Sequence, residues 1–339
     1  MKINYEKFPI FIIGCQRSGT TLLRLILNSH SKIAIPEEGT FWMPLLRRYK
    51  NKPYENILKK DLKHILNYII KNHQFKLWCI DPSPLIENIL KLKHCSLRDL
   101  MKMFYEYYAS VQNKEIWGDK TPSFFRMIPV LHKLFPEARF IHVVRDGRDL
   151  YLSRKKINPL MKFISLSAIE WRYKVNKIRK DLSKIPSEKS IEIRYEDLVR
   201  DPQNILKKIC AFLRIDYEDK MLNFWKESHK YIGKHHSDLI FKPISSKSVG
   251  KYKKELSYRN LRKYEILAQN LLREYGYDIE TDSNLLKDIF IYLDIFFEIL
   301  YALPLRIVRV LYVKFVLDLS SKFGLATKAA GGGDLPDLK

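Results

Sequence analysis

Short, nearly unbroken apolar runs punctuate the chain, with the length of strands buried on both faces of a parallel sheet. Phe8 to Ile13, Phe140 to Val144 and Ile191 to Tyr195 read this way, and Leu77 to Ile80 is a weaker fourth. Between them the period lengthens. Leu22, Leu23, Ile26 and Leu27 recur on one helical face while Arg24 and Asn28 lie off it, which predicts a helix packed on the sheet. Asp201-Pro202 supplies an N-cap and a proline at the first helical position, ahead of the apolar stripe Ile205, Leu206, Ile209 and Leu213. This alternation of strand and helix predicts an α/β fold around a central, mostly parallel sheet.

Two stretches break the alternation. Residues 43–112, rich in Lys, Tyr, Leu and Ile and poor in glycine, read as a helical insertion, and insertions at that edge commonly shape an acceptor pocket. Residues 284–325 are strongly apolar, yet Asp288, Asp294, Glu298, Arg306, Arg309, Lys314 and Asp318 interrupt them. No run there reaches the roughly 20 uncharged residues of a membrane span. Pro304 is predicted to split the segment into two helices, which either dock on the core or lay the basic second helix, Leu305 to Leu319, in a membrane interface. The expected organisation is a main domain over 1–283, this extension over 284–325 and a flexible tail over 326–339 containing Gly331 to Gly333.

Composition narrows the class. A chain of 339 residues that is 46% hydrophobic and 13% aromatic builds a packed core, which excludes a disordered protein. Lys and Arg number 61 against 38 Asp and Glu, and a net charge of +23 favours anionic ligands, acidic acceptors or anionic membrane surfaces. The lysines are spread along most of the chain, so nucleic acid is not an expected partner. Cys15, Cys79, Cys95 and Cys210 have no metal-site spacing and are expected as packed thiols in a reducing compartment. No secretory signal precedes the first apolar run, so a cytoplasmic location is expected, with residues 284–325 as the peripheral-membrane alternative.

The chemistry concentrates in two segments. Gly14-Cys-Gln-Arg-Ser-Gly-Thr-Thr21 joins the first strand to the first helix, the layout of a loop that cradles an anion with backbone amides and a positive helix end. A Walker A loop would carry Lys where Thr20 stands, and here Arg17 supplies the charge instead. The loop is therefore built for a phosphate donor other than a nucleoside triphosphate. Arg145-Asp-Gly-Arg-Asp149 then ends the second strong strand and leads into a helix containing Ser153, which aims Arg145 at the crevice where open α/β sheets bind ligands.

Together these segments resemble the sulfotransferases that use 3′-phosphoadenosine 5′-phosphosulfate (PAPS). The resemblance implies a P-loop-containing, three-layer sulfotransferase-like fold, a PAPS donor yielding 3′,5′-ADP, and no metal. It implies Arg17, Ser18, Gly19, Thr20 and Thr21 at the 5′-phosphosulfate, and Arg145 and Ser153 at the 3′-phosphate. In motif pattern the chain most resembles the tyrosylprotein-like and bacterial sulfotransferases, and its resemblance to the tyrosylprotein branch covers roughly residues 8–256. By that similarity Glu38, in Glu37-Glu38, is the catalytic base, and Lys120, in Gly118-Asp-Lys-Thr-Pro122, is the catalytic lysine, with Arg17 sharing the transferring charge. Ser237 is implied near the sulfuryl group, Lys251 at the donor, and Tyr195, in Arg194-Tyr-Glu-Asp-Leu198, as a donor contact. Cys15-Gln16, Gly39 and the lack of a luminal anchor depart from that branch.

The residue types suit sulfuryl transfer, which by analogy with phosphoryl transfer needs in-line placement and charge stabilisation, with one carboxylate as general base. The implied acceptor is a hydroxyl, either a tyrosine in an acidic peptide or a glycan or glycolipid. Competing readings are a P-loop kinase or NTPase, and a basic module that holds nucleotide as a structural ligand. His30 is expected to cap or pack the first helix, and the adjacent His235 and His236 point to different sides and are not expected to share a metal.

Overall fold

The computed structural model describes residues 8–157, 162–226 and 238–323. Five parallel strands form one sheet: β1 (Ile10–Gly14), β2 (Ile33–Ala34), β3 (Ile116–Asp119), β4 (Arg139–Val144) and β5 (Ser190–Arg194), in the order β2-β3-β1-β4-β5. Register pairs Phe11 with Asp119 on one side and with Phe140 on the other, and Val144 with Arg194 at the far edge. The pattern is all-parallel, so every strand ends at the same edge, and the chain changes direction across the sheet between β1 and β4.

Helix α1 (Thr20–Asn28) follows β1. Between β2 and β3 lie α2 (Trp42–Tyr49), α3 (Lys59–Lys71), α4 (His73–Lys76), α5 (Ser83–Lys91) and α6 (Leu97–Val111). Then come α7 (Ile128–Leu134) before β4, and α8 (Gly147–Lys155) and α9 (Ile164–Leu182) before β5. Beyond β5 are α10 (Tyr195–Arg200), α11 (Pro202–Phe212), α12 (Tyr252–Glu255), α13 (Tyr258–Glu274) and α14 (Leu285–Phe323). Helices cover both sheet faces, which makes the strands near-continuous apolar runs. Phe11 stacks on Phe140 at 5.4 Å between ring centroids, and Trp117 of β3 stacks on Tyr105 of α6 at 4.8 Å. Phe41, Trp42, Phe75, Trp78 and Phe104 extend that aromatic cluster, so the helices after β2 are packed against the sheet beneath residues 37–39.

Several details correct the reading of the sequence. Leu77 to Ile80 is not a strand: it follows the short helix α4, Cys79 has φ 53, and Trp78 is turned inward so that its indole N–H donates to the Glu37 carbonyl at 3.0 Å. Pro304 does not split the C-terminal segment, because α14 runs through it as one helix. Arg24, expected off the packed face, is buried in an ion pair. Cys15, Cys95 and Cys210 are buried, but Cys79 is exposed. The helix at Pro202 does carry the Asp201 cap, whose carboxylate accepts from Asn204 N, and its stripe is buried except for Ile205, which is partly so.

Candidate functional site

Because the strands are parallel, the loops leaving all five meet at one edge, and each brings a candidate residue: Arg17 to Thr21 after β1, Glu38 after β2, Lys120 after β3, Arg145 after β4 and Tyr195 after β5.

The loop after β1 is held in an anion-cradling shape. Ser18 N donates to Cys15 O at 3.0 Å, and both Arg17 (φ 75) and Gly19 (φ 98) lie in the left-handed region. Gly19 could be no other residue without movement, since a Cβ there would collide with the Tyr195 ring. Gly19 begins α1, which has no side-chain cap and no acidic residue in its first turn, so the positive helix end at Thr20 and Thr21 is open to an anion. The buried Ser18 hydroxyl has no protein hydrogen-bond partner, an acceptor or donor held in reserve within the cradle.

Two arginines link this loop to β4 and α8. Arg17 Nε donates to Ser153 Oγ at 3.0 Å. Arg145 donates to Arg17 O at 3.1 Å and to Ser248 O at 2.7 Å, and its guanidinium lies 4.5 Å over the Tyr195 ring. Arg145 Nε is buried without a protein partner. Tyr195 in turn shares a 2.5 Å hydrogen bond with Ser248 Oγ. Arg17, Ser153, Arg145, Tyr195 and Gly19 thus form one connected group, and the residues present fit a ligand with two separated phosphates.

Around Arg145 the rest of the Arg-Asp-Gly-Arg-Asp segment is scaffold. Arg148, fully buried, is bound by Asp146 at 2.8 Å and Glu265 at 2.5 Å, and Trp171 Nε1 donates to Arg145 O. Asp149 accepts from Gly250 N at 2.6 Å and Tyr252 N at 3.0 Å, which pins the backbone on both sides of the exposed Lys251 against α8. Ser248 is a site-building residue with no signal of its own in the sequence, and Asp149, within the Arg145 segment, binds the backbone around Lys251. Nearness to Lys251 in the chain is the one signal that points to Ser248.

On the other side of β1, Lys120 is fully buried along its side chain and donates to Glu38 Oε1 at 2.6 Å, while Glu38 keeps 28% of its side chain exposed. Glu37 points elsewhere, into a 2.6 Å ion pair with Arg24, which also donates to Ile35 O. The adjacent carboxylates are therefore separated in role by their partners. A short relay fixes the Glu38–Lys120 approach: Gly39 N donates to Thr121 Oγ1 at 2.8 Å, Thr121 Oγ1 donates to Asp119 Oδ2 at 3.0 Å, and Tyr105 OH donates to the same oxygen at 2.6 Å. Gly39 is required by this packing, since a Cβ would fall 2.5 Å from Tyr105 Oη and 2.9 Å from Asp119 Oδ2. Burial pushes the Asp119 carboxyl up to about 6, against the opposing effect of those two donors and of Lys120.

His30 packs as expected, with Nε2 2.9 Å from Asp216 O and Nδ1 accepting from Lys32 N. Ser237, His235 and His236 lie outside the described residues. Among the described residues no group of three or more His, Cys, Asp or Glu is arranged to hold a metal ion.

Comparison with known proteins bears on the family and the fold. The profile of the sulfotransferase family matches residues 9–219, more than half of the chain. The chain is 25% identical to the protein-tyrosine sulfotransferase of Drosophila melanogaster over 296 residues, covering 81% of this chain and 52% of that protein. It is 26% identical to the omega-hydroxy-beta-dihydromenaquinone-9 sulfotransferase Stf3 of Mycobacterium bovis, covering 62% of this chain and 64% of that one. The chain spans 27% of an uncharacterized protein of Aquifex aeolicus that it matches and about half of the fly protein. In fold it is similar to the sulfotransferase domain from the curacin biosynthetic pathway, with a TM-score of 0.53 and 21% identity over 81% of this chain and all of that domain.

Proposed function

The chain belongs to the sulfotransferase family, and we propose that it transfers a sulfuryl group from PAPS to an acceptor hydroxyl, releasing 3′,5′-ADP. The observation that carries the reading is the Arg17–Ser153 hydrogen bond, reinforced by Arg145 on Arg17 O, which joins the loop after β1 to β4 and α8 and so supports a single site for both phosphates of the donor.

In this reading the amides of Arg17 to Thr21 and the α1 N-terminus hold the 5′-phosphosulfate, and Arg145 and Ser153 hold the 3′-phosphate. Tyr195 supports both by backing Gly19 and lying under Arg145, and Lys251 adds positive charge from a loop pinned by Asp149. PAPS supplies the activated sulfuryl group. The acceptor oxygen forms a bond to sulfur as the bond from sulfur to the phosphate oxygen breaks, and Glu38 takes the acceptor proton. The proton leaves the acceptor as the new bond to sulfur forms. Arg17 and Lys120 stabilise the charge on the moving group and the leaving phosphate. Ser237 is proposed beside the sulfuryl group on the sequence resemblance.

For the acceptor, a tyrosine in an acidic peptide is proposed first, supported by the name of the fly relative and by the +23 charge. A glycan or glycolipid is the second reading, favoured by the exposed apolar side chains of α14. Radiolabelled donor incubated with separate peptide and glycolipid pools tests the choice. Label in the peptide pool supports tyrosine, and label confined to glycolipid refutes it.

A further inference from the structure

We propose that α14 docks the protein flat on an anionic lipid bilayer through its outer face, whichever acceptor the enzyme uses. The helix is inside out. Surface helices turn charge to solvent and apolar residues to the core, but here the three acidic side chains of the first half face the protein. Asp288 is bound by Arg262 at 2.6 and 2.9 Å, Asp294 by Arg259 and by Lys263 at 3.6 Å, and Glu298 by Lys263 at 3.1 Å and Ser165 N at 2.8 Å. The opposite face carries Phe290, Leu293, Phe296, Phe297, Leu300 and Tyr301, between 48% and 72% exposed. Past Ala302 every described side chain, up to Tyr312, is exposed, and Leu305, Ile307, Val308 and Leu311 continue the apolar character.

Among the described residues, fourteen large apolar side chains of α14 between Ile289 and Tyr312 are exposed. At roughly half of a side chain each, they leave on the order of 1,000 Å² uncovered, beyond the few hundred Å² that soluble monomers usually expose.

The shape and charge of this face select a bilayer as its occupant. The exposed positions extend about 35 Å along the helix at 1.5 Å per residue, on the outer face up to Ala302 and around the helix beyond it, a length that a planar apolar phase covers without a shaped partner. Tyr292, Tyr301 and Tyr312 place rings with polar tips along it, the chemistry of the headgroup boundary. All acid in the described part of the strip is neutralised by Arg259, Arg262 and Lys263, while the sequence of α14 past Pro304 adds Arg306, Arg309, Lys314 and Lys322 against one acid, Asp318, to a chain of net charge +23. That balance attracts anionic headgroups. The ion pairs and the buried Ile291, Ile295 and Ala302 bind the inner side of the helix to the domain, so it lies in the interface instead of entering the bilayer end-on. Among the described residues no helix is long and apolar enough to cross a membrane.

Flotation of the full chain with vesicles tests this directly, comparing phosphatidylcholine alone with phosphatidylcholine plus phosphatidylglycerol. The wild type is expected to float with the anionic vesicles, less so as salt rises. The variant Phe290→Glu/Phe297→Glu/Leu300→Glu, altered only at exposed positions, is expected to partition at least roughly tenfold less while keeping its thermal unfolding midpoint. Failure of the wild type to float, or equal flotation of both proteins, overturns the proposal. A wild-type dimer in sedimentation equilibrium that the same substitutions dissociate, with no vesicle binding, assigns the face to a second copy and overturns it as well. None of these readouts uses sulfuryl transfer.

Discussion

Lys120 Nζ donates to Glu38 Oε1 at 2.6 Å from a side chain that is itself buried, while Glu37, one residue earlier, is turned away into Arg24. Neighbouring carboxylates are thereby given different work, and mutation should separate them. Glu38→Gln is expected to lower sulfuryl transfer by about 10²- to 10⁴-fold with little change in 3′,5′-ADP affinity. Glu37→Ala is expected to act on stability, by about 3 kcal/mol, because it strips the buried Arg24 of its carboxylate. Thermal unfolding and steady-state rates on the two variants check the pair. A rate loss confined to Glu37→Ala would reverse the assignment.

Gly19 and Tyr195 form a second such pair. The positive φ of Gly19 and the ring lying where its Cβ would be leave Gly19→Ala strained twice over. Titration with 3′,5′-ADP is expected to show at least about tenfold weaker binding. Tyr195→Phe keeps the ring and the Arg145 contact and loses only the hydroxyl bond to Ser248, so it should cost about 1 kcal/mol of stability.

The relay through Asp119 predicts a pH dependence. Its folded value of about 6 lies above an ordinary carboxyl near 4, so between those values the folded protein binds more protons than the unfolded chain. The contribution of this group to stability is therefore full below about pH 4 and is lost as pH rises through about 6, amounting to about 3 kcal/mol. Asp119→Asn removes the titration, so denaturant unfolding of the variant relative to the wild type should shift in its favour by that order between pH 4 and pH 7. A difference that stays constant across the range would contradict the burial argument.

Much of this was legible in the chain before the fold was known. β1, β4 and β5 announce themselves because strands buried on both faces are apolar runs, and the segment Gly14 to Thr21 announces its loop because a strand, a glycine pair and a helix start coincide. The other two strands were hidden. β2 has two residues, and β3 reads Ile-Trp-Gly-Asp, whose last two positions also open the lysine motif Gly118 to Pro122. Leu77 to Ile80 misled because its apolar residues serve the aromatic cluster instead of a ladder. Arg24–Glu37, Asp149 on the backbone around Lys251, and Ser248 between Arg145 and Tyr195 connect residues 13 to 103 apart, and no local pattern encodes such meetings. The inward-facing acids of α14 were equally unreadable, because the sequence shows the charges but not that α13 supplies their partners.

The donor assignment is the centre of the account, and calorimetric titration of the wild type and Arg145→Ala with 3′,5′-ADP, using AMP as the control that lacks the 3′-phosphate, tests it most directly. Preference for 3′,5′-ADP in the wild type that collapses in the variant is the predicted result. Equal binding of the two nucleotides, or binding of neither, would contradict it.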